Sequence, residues 1–345
     1  MTKISHLMVA VATVCAGSAA LAQSSVELYG RVNTSIEQQK LGQQKTTGVV
    51  SNSSFLGLRG TEDLGAGLKA GFVLESSFGA DTGAGGSAEG GLNFERNSEL
   101  NLSGNFGMVR VGQFDPYSYS VTADFISMHN HDTGASADKL YKINPAAGNI
   151  LAYRTPTVGG VTAELQYHFG EKQVDSDGLQ DRGAIDLGVD YAQGPLGLGL
   201  GYYRAKKSHA IDGARHIEQL GARVSYAIGD LTLGGYAQRF EVKQAGAKQY
   251  AGNTYRLAAM YTLGASELHA NVGRATATQQ SESATQWTLA YNYNLSKRTK
   301  VYALYSSINH AAASNIEGGS FDFTPAVHGD NAKFRTLGVG VRHLF

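Results

Sequence analysis

The sequence is dominated by long segments in which apolar and polar residues alternate at every second position. Residues 161–169, Val-Thr-Ala-Glu-Leu-Gln-Tyr-His-Phe, are apolar at the odd positions and polar at the even ones. The same two-residue period recurs at 185–191 and at 287–295. Successive side chains of a β-strand point to opposite faces of a sheet. Each segment therefore predicts a strand with one apolar face and one polar face.

The length of these segments bears on the class of β protein. Strands of soluble proteins usually run for about five or six residues, whereas a tilted strand needs roughly 9–11 residues to cross a bilayer. The alternating segments match the longer class, and their apolar faces end in tyrosine and phenylalanine, as expected for interfacial aromatic girdles. A soluble β-sandwich also alternates, so the segments alone leave that alternative open.

The connectors between the segments alternate between short and long. The short ones are rich in Gly, Asn and Asp, which tight hairpins require: 62–67, 104–107, 193–195, 228–230, 263–266 and 296–298. The long ones are polar: 39–52, 80–92, 115–148, 171–181, 206–214, 244–252, 277–283 and 310–332. Short periplasmic turns and long exterior loops are typical of outer-membrane barrels. The pattern predicts an all-β, antiparallel transmembrane β-barrel of about sixteen strands.

The N-terminal region has the features of an export signal. Basic or titratable residues precede an apolar stretch at 7–14, and Ala20-Leu21-Ala22 has the small-x-small form of a cleavage site. We therefore expect a signal peptide at 1–22 and a single barrel domain at 23–345. The one cysteine, Cys15, falls inside the signal, so the mature chain is expected to hold no disulfide and no cysteine-based metal site.

The C-terminal residues continue the same alternation up to an aromatic residue. Val339, Val341 and Phe345 share one face of a strand, and Gly340 and Arg342 share the other. In a closed barrel the last strand pairs with the first, and its terminal ring can sit in the aromatic girdle. We expect Phe345 to serve as an assembly signal on this ground, although an ordinary C-terminal edge strand would show the same pattern.

Charge and composition exclude some partners. The chain has 29 basic and 29 acidic residues, and removal of the signal leaves a net charge of −1, which gives no field for binding nucleic acid. It contains 44 Gly but 5 Pro, with a mean hydropathy of −0.21. No segment of the mature chain approaches the roughly 18 continuous apolar residues of a membrane helix.

The longest internal connector, 115–148, is the third long loop. It carries the four aspartates Asp115, Asp124, Asp132 and Asp138, together with aromatic residues that include Tyr117, Tyr119 and Phe125. Loops of this length are usually functional or disordered. An exterior loop is one interpretation. The other is a loop folded into the lumen, where its carboxylates would set the size and field of a pore.

The chain resembles the trimeric general porins of Gram-negative outer membranes, particularly the betaproteobacterial type. The resemblance rests on Leu28-Tyr29-Gly30, on Leu-Gly-Leu-Arg-Gly-Thr-Glu-Asp-Leu-Gly at 56–65, on Val-Arg-Val-Gly-Gln at 109–113, on 291–299 and on the terminal strand. It implies a homotrimer embedded among outer-membrane lipids and lipopolysaccharide, without a cofactor. It also implies lumen-wall arginines opposite acidic residues of the third loop. Matched residue by residue, these are Arg31, Arg59, Arg96 and Arg154, with Asp132 and Asp124 as the acids.

The position of each arginine in the apolar–polar alternation, which we call its strand parity, predicts whether its side chain points into the lumen or outward. Arg31, Arg59 and Arg154 have the parity opposite to their apolar neighbours and are expected to point inward, and Arg110 is a further inward candidate by the same criterion. Arg96 shares its parity with Leu100 and Leu102, so an inward Arg96 requires a bulge.

Opposed charges across a narrow aqueous gap pass water and small polar solutes, and they bias ion choice. We expect a passive channel for small ions and hydrophilic solutes, weakly anion-preferring, without catalysis. An outer-membrane lipase or protease is the main alternative, but no compelling Ser/His/Asn or Asp/His set is present. An adhesin is the second alternative, and for an adhesin we would expect a plugged lumen.

Two further motifs have ordinary interpretations. The spacing of His129, His131 and Asp132 is compatible with a metal site, but a solvated loop is the stronger interpretation. Gly-Leu-Gly-Leu-Gly at 197–201 is a strand with small inward residues, because no helix follows to make it a phosphate-binding loop.

Overall fold

The predicted strands form one antiparallel sheet that closes on itself. The computed structural model describes residues 25–87, 90–123, 140, 148–169, 183–205, 214–244, 249–277, 283–317, 320–325 and 332–345. The expected signal peptide at 1–22 lies outside these ranges. Within them, no helix has the length and apolar character needed to cross a membrane.

The described residues contain eighteen strand segments and one short helix, which lies in the third loop. The strands are β1 Ser25–Leu41, β2 Gln44–Ser51, β3 Phe55–Gly65, β4 Leu68–Ser77, β5 Asn97–Gly104, β6 Gly107–Gln113, β7 Ile150–Arg154, β8 Val161–His168, β9 Ala184–Gln193, β10 Leu196–Ala205, β11 Ala214–Ile228, β12 Leu231–Gln244, β13 Gln249–Leu263, β14 Ser266–Ala277, β15 Ser283–Asn294, β16 Thr299–Glu317, β17 Ser320–Pro325 and β18 Ala332–Leu344. Helix α1, Tyr117–Ser120, lies between β6 and β7.

The eighteen segments form sixteen barrel strands, which confirms the predicted fold class. β2 and β3 both pair with β1, through Thr34↔Ser51 and Arg31↔Phe55, so they are two parts of one strand interrupted at 52–54. β17 and β18 both pair with β16 and are likewise two parts of one strand.

The barrel closes where the last strand meets the first. β1 and β18 run antiparallel from Arg31↔Leu344 to Leu41↔Phe334. Gly30 and Phe345 exchange two backbone hydrogen bonds, each with an N···O distance of 3.2 Å. An ideal Cβ on Gly30 would lie 2.5 Å from Cζ of Phe345, so the terminal ring packs against the bare backbone of the first strand.

Two of the predicted long loops are largely strand. β1 continues to Leu41, and β2 begins at Gln44 after a tight turn, whereas the sequence predicts a loop over 39–52. Within the predicted loop 310–332, β16 likewise continues to Glu317 and β17 spans Ser320–Pro325. The alternation with apolar residues is needed only where a strand contacts lipid. A polar hairpin can therefore continue the sheet beyond the bilayer without the pattern that identifies a membrane strand.

The two faces of the sheet differ as the alternation predicts. On β8, Leu165 and Tyr167 are exposed on the outer surface, while Glu164 and Gln166 are buried on the inner side. The interior is thus lined mainly with polar side chains, and many large apolar side chains point outward. A soluble protein has the opposite arrangement, with apolar side chains inside. A barrel in lipid requires apolar side chains on its outer surface.

Candidate functional site

Helix α1 in the third loop packs inside the barrel, against the inner faces of β8, β9 and β10. Its Ser118 contacts the inward-facing Asp186 of β9. The backbone N–H of Ser118 donates to Oδ1 of Asp186 at 2.9 Å, and its hydroxyl donates to Oδ2. Both residues are buried, so the carboxylate holds the loop to the wall at a place from which water is excluded.

Glycines on β10 make room for this contact. An ideal Cβ on Gly201 would lie 2.6 Å from the carbonyl oxygen of Ser118, and one on Gly199 would overlap the carbonyl of Val121. The sequence predicts small inward residues at 197–201. The structure adds the reason: two of the three glycines lie directly beneath the loop backbone.

Other described residues of the loop contact the inner wall at strands of higher number. Nε of Arg223 on β11 donates to the carbonyl of Val121 at 2.9 Å, and its guanidinium pairs with Asp190 at 2.6 Å. Further along, the hydroxyl of Thr254 on β13 donates to the carbonyl of Leu140 at 3.0 Å. The described loop residues thus lie along the wall from β8 to beyond β13, inside the lumen rather than outside it.

Arginines gather on a different part of the wall, on β1, on β3 and just before β5. Arg59 on β3 pairs with Glu27 on β1 at 2.7 Å, and its guanidinium lies 4.6 Å from the ring centroid of Tyr29. The Tyr29 hydroxyl donates to Glu75 at 2.7 Å. The tyrosine thereby connects an arginine on one side to a carboxylate on the other.

The remaining members of this group surround the ring of Phe55. The guanidiniums of Arg31 and Arg96 lie 5.4 and 4.6 Å from its centroid. Arg96 pairs with Glu75 at 3.0 Å, and Arg31 donates twice to the carbonyl of Ser53. Stacking on aromatic rings fixes guanidiniums in place without neutralising them. We refer to Arg31, Arg59 and Arg96 together as the arginine cluster.

Two more arginines lie at the base of the third loop. Glu164 on β8 is buried and pairs with Arg154 at 2.6 Å and with Arg110 at 3.7 Å. Arg110 also pairs with Glu99 at 3.3 Å. The two arginines stack on Phe114 and Tyr117 respectively, so the base of the loop rests on them.

Exposure separates the five arginines into two kinds. The side chain of Arg59 is 52 % exposed, and those of Arg96 and Arg154 are each 31 % exposed. Arg31 and Arg110 are buried. Only the first three present charge to a solute in the lumen, whereas the buried two support the surrounding structure.

The sequence matches the family model described as Gram-negative porin over residues 8–312. The match covers most of the chain. The chain belongs to the Gram-negative porin family.

Individual porins are similar to this chain over most of its length. Outer membrane porin protein 32 of Delftia acidovorans is 35% identical over 332 residues, covering 90% of this chain and 91% of that protein. The solved structure of an anion-selective porin from Comamonas acidovorans superposes with a TM-score of 0.79 at 30% identity, covering 94% of this chain and 100% of the other. OmpT of Vibrio cholerae in its trimer form shares the fold with a TM-score of 0.69 at 18% identity, covering 93% and 99%. This porin is accordingly an outer-membrane β-barrel channel.

The arginines predicted from the sequence lie on the inner side of the barrel wall in this porin. Arg31, Arg59, Arg110 and Arg154 lie on the inner face of the barrel, as parity predicts. Arg96 also contacts the inner group, but it precedes β5 instead of belonging to it. Because Arg96 lies outside the strand, the alternation does not determine which way its side chain points, and its inward position requires no bulge.

Some residues of the site were not predicted. Parity could have indicated the inward carboxylates and rings, because each alternates with apolar outward neighbours: Glu27, Glu75, Glu99, Glu164, Tyr29 and Phe55. Their pairing with the arginines could not be predicted, since it depends on register between strands. The predicted loop acids Asp124 and Asp132, and the histidine pair beside them, lie outside the described residues.

Proposed function

We propose that this porin forms a water-filled channel for passive diffusion of small hydrophilic solutes and ions, without catalysing a reaction. The proposal rests on the positions of the loop residues and charged side chains in the lumen. Described residues of the third loop contact the inner wall at β8 to β11 and at β13, and exposed arginines occupy the wall on β3, just before β5 and on β7. A polar space flanked by fixed charges passes hydrated solutes and disfavours apolar ones.

The constriction of this channel is formed by Arg31, Arg59, Arg96, Arg110 and Arg154, together with Asp124 and Asp132 of the third loop. In this proposal the exposed Arg59, Arg96 and Arg154 contact the passing solute. Arg31 and Arg110 act indirectly, because they are buried against aromatic rings that shape the wall.

The channel weakly prefers anions. Around the five arginines the structure places four glutamates, Glu27, Glu75, Glu99 and Glu164, so the positive excess is small. Ion choice follows the charge at the narrowest point rather than the net charge of the chain. The similar structure from Comamonas acidovorans is described as anion-selective, which supports the same sign here.

The proposal includes two further properties, export and assembly. The protein is exported with removal of residues 1–22, and the mature barrel, 23–345, assembles as a homotrimer surrounded by outer-membrane lipids. The trimer form of OmpT supports the second property.

Purified protein in planar bilayers and in liposomes tests the proposed function. Stepwise ion conductance and size-limited swelling with neutral sugars are expected. A closed, non-conducting protein would favour an adhesin. Absence of conductance together with measurable turnover of ester or peptide substrates would favour an outer-membrane lipase or protease.

A further inference from the structure

The side chain of Tyr29 crosses the inner wall of the barrel to reach a carboxylate two strands away. Tyr29 on β1 lies opposite Gly57 on β3, and Gly57 lies opposite Glu75 on β4. Residues directly opposite each other on neighbouring strands share one face of the sheet, so the three form a row on the lumen side. The Tyr29 hydroxyl donates to Oε1 of Glu75 at 2.7 Å. The phenol ring thus spans the position of Gly57.

Gly57 provides the space for this ring. An ideal Cβ on Gly57 would lie 2.6 Å from Cζ and 2.7 Å from Cε1 of Tyr29, so any side chain at this position would displace the ring. Gly57 lies within β3 and does not have the left-handed backbone that favours glycine. The ring on the neighbouring strand is therefore the reason that position 57 requires a residue without a side chain.

Arg59 occupies the next row on the same face of the sheet. It lies opposite Glu27 on β1 and opposite Val73 on β4. Its guanidinium pairs with Glu27 at 2.7 Å and lies 4.6 Å from the ring centroid of Tyr29. An aromatic face attracts a guanidinium without carrying a compensating negative charge. Arg59 is thus held by one acid and one ring.

The two carboxylate oxygens of Glu75 have different partners. Oε1 accepts the hydrogen bond from Tyr29, and Oε2 lies 3.0 Å from Nε of Arg96. Glu75 and Arg59 are diagonal neighbours on β4 and β3, a separation that long side chains can bridge. Arg59 nevertheless pairs with Glu27. Each of the two exposed arginines therefore has its own acid, and the Tyr29 hydroxyl occupies the oxygen of Glu75 that does not contact Arg96.

We propose that Tyr29 is a positioning residue that determines how strongly the channel prefers anions, an inference that rests on the proposed function. Its hydroxyl keeps Glu75 from pairing with Arg59, and its ring supports the Arg59 guanidinium. The side chain of Arg59, which is 52 % exposed, therefore presents its charge to the lumen beside a single acid. Gly57 is part of the same arrangement because it admits the ring.

Loss of the hydroxyl changes the distribution of acids around Arg59. The side chain of Glu75 is only 16 % exposed, and an acceptor that loses its donor in such a place is unfavourable. Arg59, as the diagonal neighbour, can then donate to Glu75 as well as to Glu27. A guanidinium shared by two carboxylates is better neutralised and attracts passing anions less. The expected result is a weaker anion preference in a barrel that still assembles.

A purely structural role for Tyr29 predicts a different result. If the ring only fills the space over Gly57, phenylalanine can replace tyrosine without any effect on ion choice. Tyr29→Phe keeps the ring and removes only the hydroxyl, so it separates the two roles.

Zero-current potentials of the purified porin in planar bilayers, under a potassium chloride gradient, test the proposal. Tyr29→Phe should lower the chloride-to-potassium permeability ratio about two-fold, since charges a few ångströms apart in water interact weakly. Glu75→Gln removes the acid and should raise the ratio. In the Glu75→Gln background, Tyr29→Phe should have no further effect, because the acid through which the hydroxyl acts is gone. Tyr153→Phe removes a hydroxyl that donates to the Phe106 carbonyl on the outer side of the barrel, and it serves as the matched control.

Gly57→Ala tests the position of the ring without removing a polar group. Its Cβ displaces the ring, so the permeability ratio should fall as it does in Tyr29→Phe. In the Tyr29→Ala background there is no ring to displace, and Gly57→Ala should add nothing to the effect of Tyr29→Ala. If Tyr29→Phe does not assemble, as shown by gel mobility before and after heating, this second pair of variants decides the question.

An unchanged ratio in Tyr29→Phe, or an equal change with and without Glu75, would overturn the proposed role of Tyr29. A change of the same size in Tyr153→Phe would overturn it as well, and so would an additive effect of Gly57→Ala in the Tyr29→Ala background. A wild type without conductance would contradict the proposed channel itself. A conducting wild type whose ion choice does not respond to these variants would contradict only the inference about Tyr29.

Discussion

The backbone N–H of Ser118, in the third loop, donates a hydrogen bond to the buried carboxylate of Asp186 on β9, with an N···O distance of 2.9 Å. The Ser118 hydroxyl donates to the second oxygen of the same carboxylate. One acid thus satisfies two donors of the loop. The position of the loop in the lumen depends on this contact and on the carbonyl contact from Arg223.

Asp186→Ala is expected to loosen the third loop. The substitution leaves two buried donors without their acceptor, at a cost of about 1–3 kcal/mol for each group. Single-channel conductance should rise, and the open-channel current should become noisier, as measured in planar bilayers. Asp230→Asn removes an exposed acid in a short turn and serves as the control. Currents identical to the wild type in Asp186→Ala would show that the loop is held by other contacts.

The glycines beneath the loop give a second test of the same contact. Gly201→Ala places a Cβ 2.6 Å from the Ser118 carbonyl oxygen, so the loop backbone must shift. We expect altered conductance and increased cleavage of the loop by added protease. Gly235→Ala, on the outer face of β12, brings its Cβ to 3.3 Å from Cγ1 of Val224, away from the loop, and should resemble the wild type. The same phenotype in both variants would contradict the explanation.

The sequence predicts the barrel well because alternation is a local property. A residue's parity determines its face, so the inward direction of Arg31 and Arg154 follows from neighbours two residues away. What parity cannot determine is which residues meet around the barrel. The pairing of Arg59 with Glu27 depends on the register of β3 against β1, and the contact between Ser118 and Asp186 joins residues 68 positions apart. The direction of Arg96 was ambiguous because strand ends are not encoded by the alternation.

Glu27→Gln is expected to strengthen anion preference. Glu27 is the paired acid of the half-exposed Arg59, so its neutralisation leaves an uncompensated positive charge facing the lumen. The zero-current potential across a salt gradient should move toward the anion limit, with a larger shift at low ionic strength, where screening is weak. Glu62→Gln neutralises an exposed acid near the short turns and should change little. A shift toward cations in Glu27→Gln would be incompatible with the proposed constriction.

Gly30 and Phe345 should be needed together for barrel closure. A valine at position 30 would overlap the terminal ring, which lies within 2.5 Å of the ideal Cβ position. Gly30→Val and Phe345→Ala are both expected to reduce the yield of assembled barrel, measured by the mobility difference between heated and unheated protein on gels. Val339→Ala, on the same outward face of β18, is the control. Full assembly of both variants would remove Phe345 from its proposed role as an assembly signal.

The central claim is that the arginine cluster sets the ion choice of an open channel. The most direct measurement is the zero-current potential of the wild type, Arg59→Glu and Arg335→Glu under one salt gradient. Arg59 faces the lumen, whereas Arg335 faces outward on β18, so the same charge reversal is made on the two sides of the barrel wall. We predict weak anion preference in the wild type and in Arg335→Glu, and cation preference in Arg59→Glu. A strongly cation-preferring wild type, or equal potentials in all three proteins, would contradict the account.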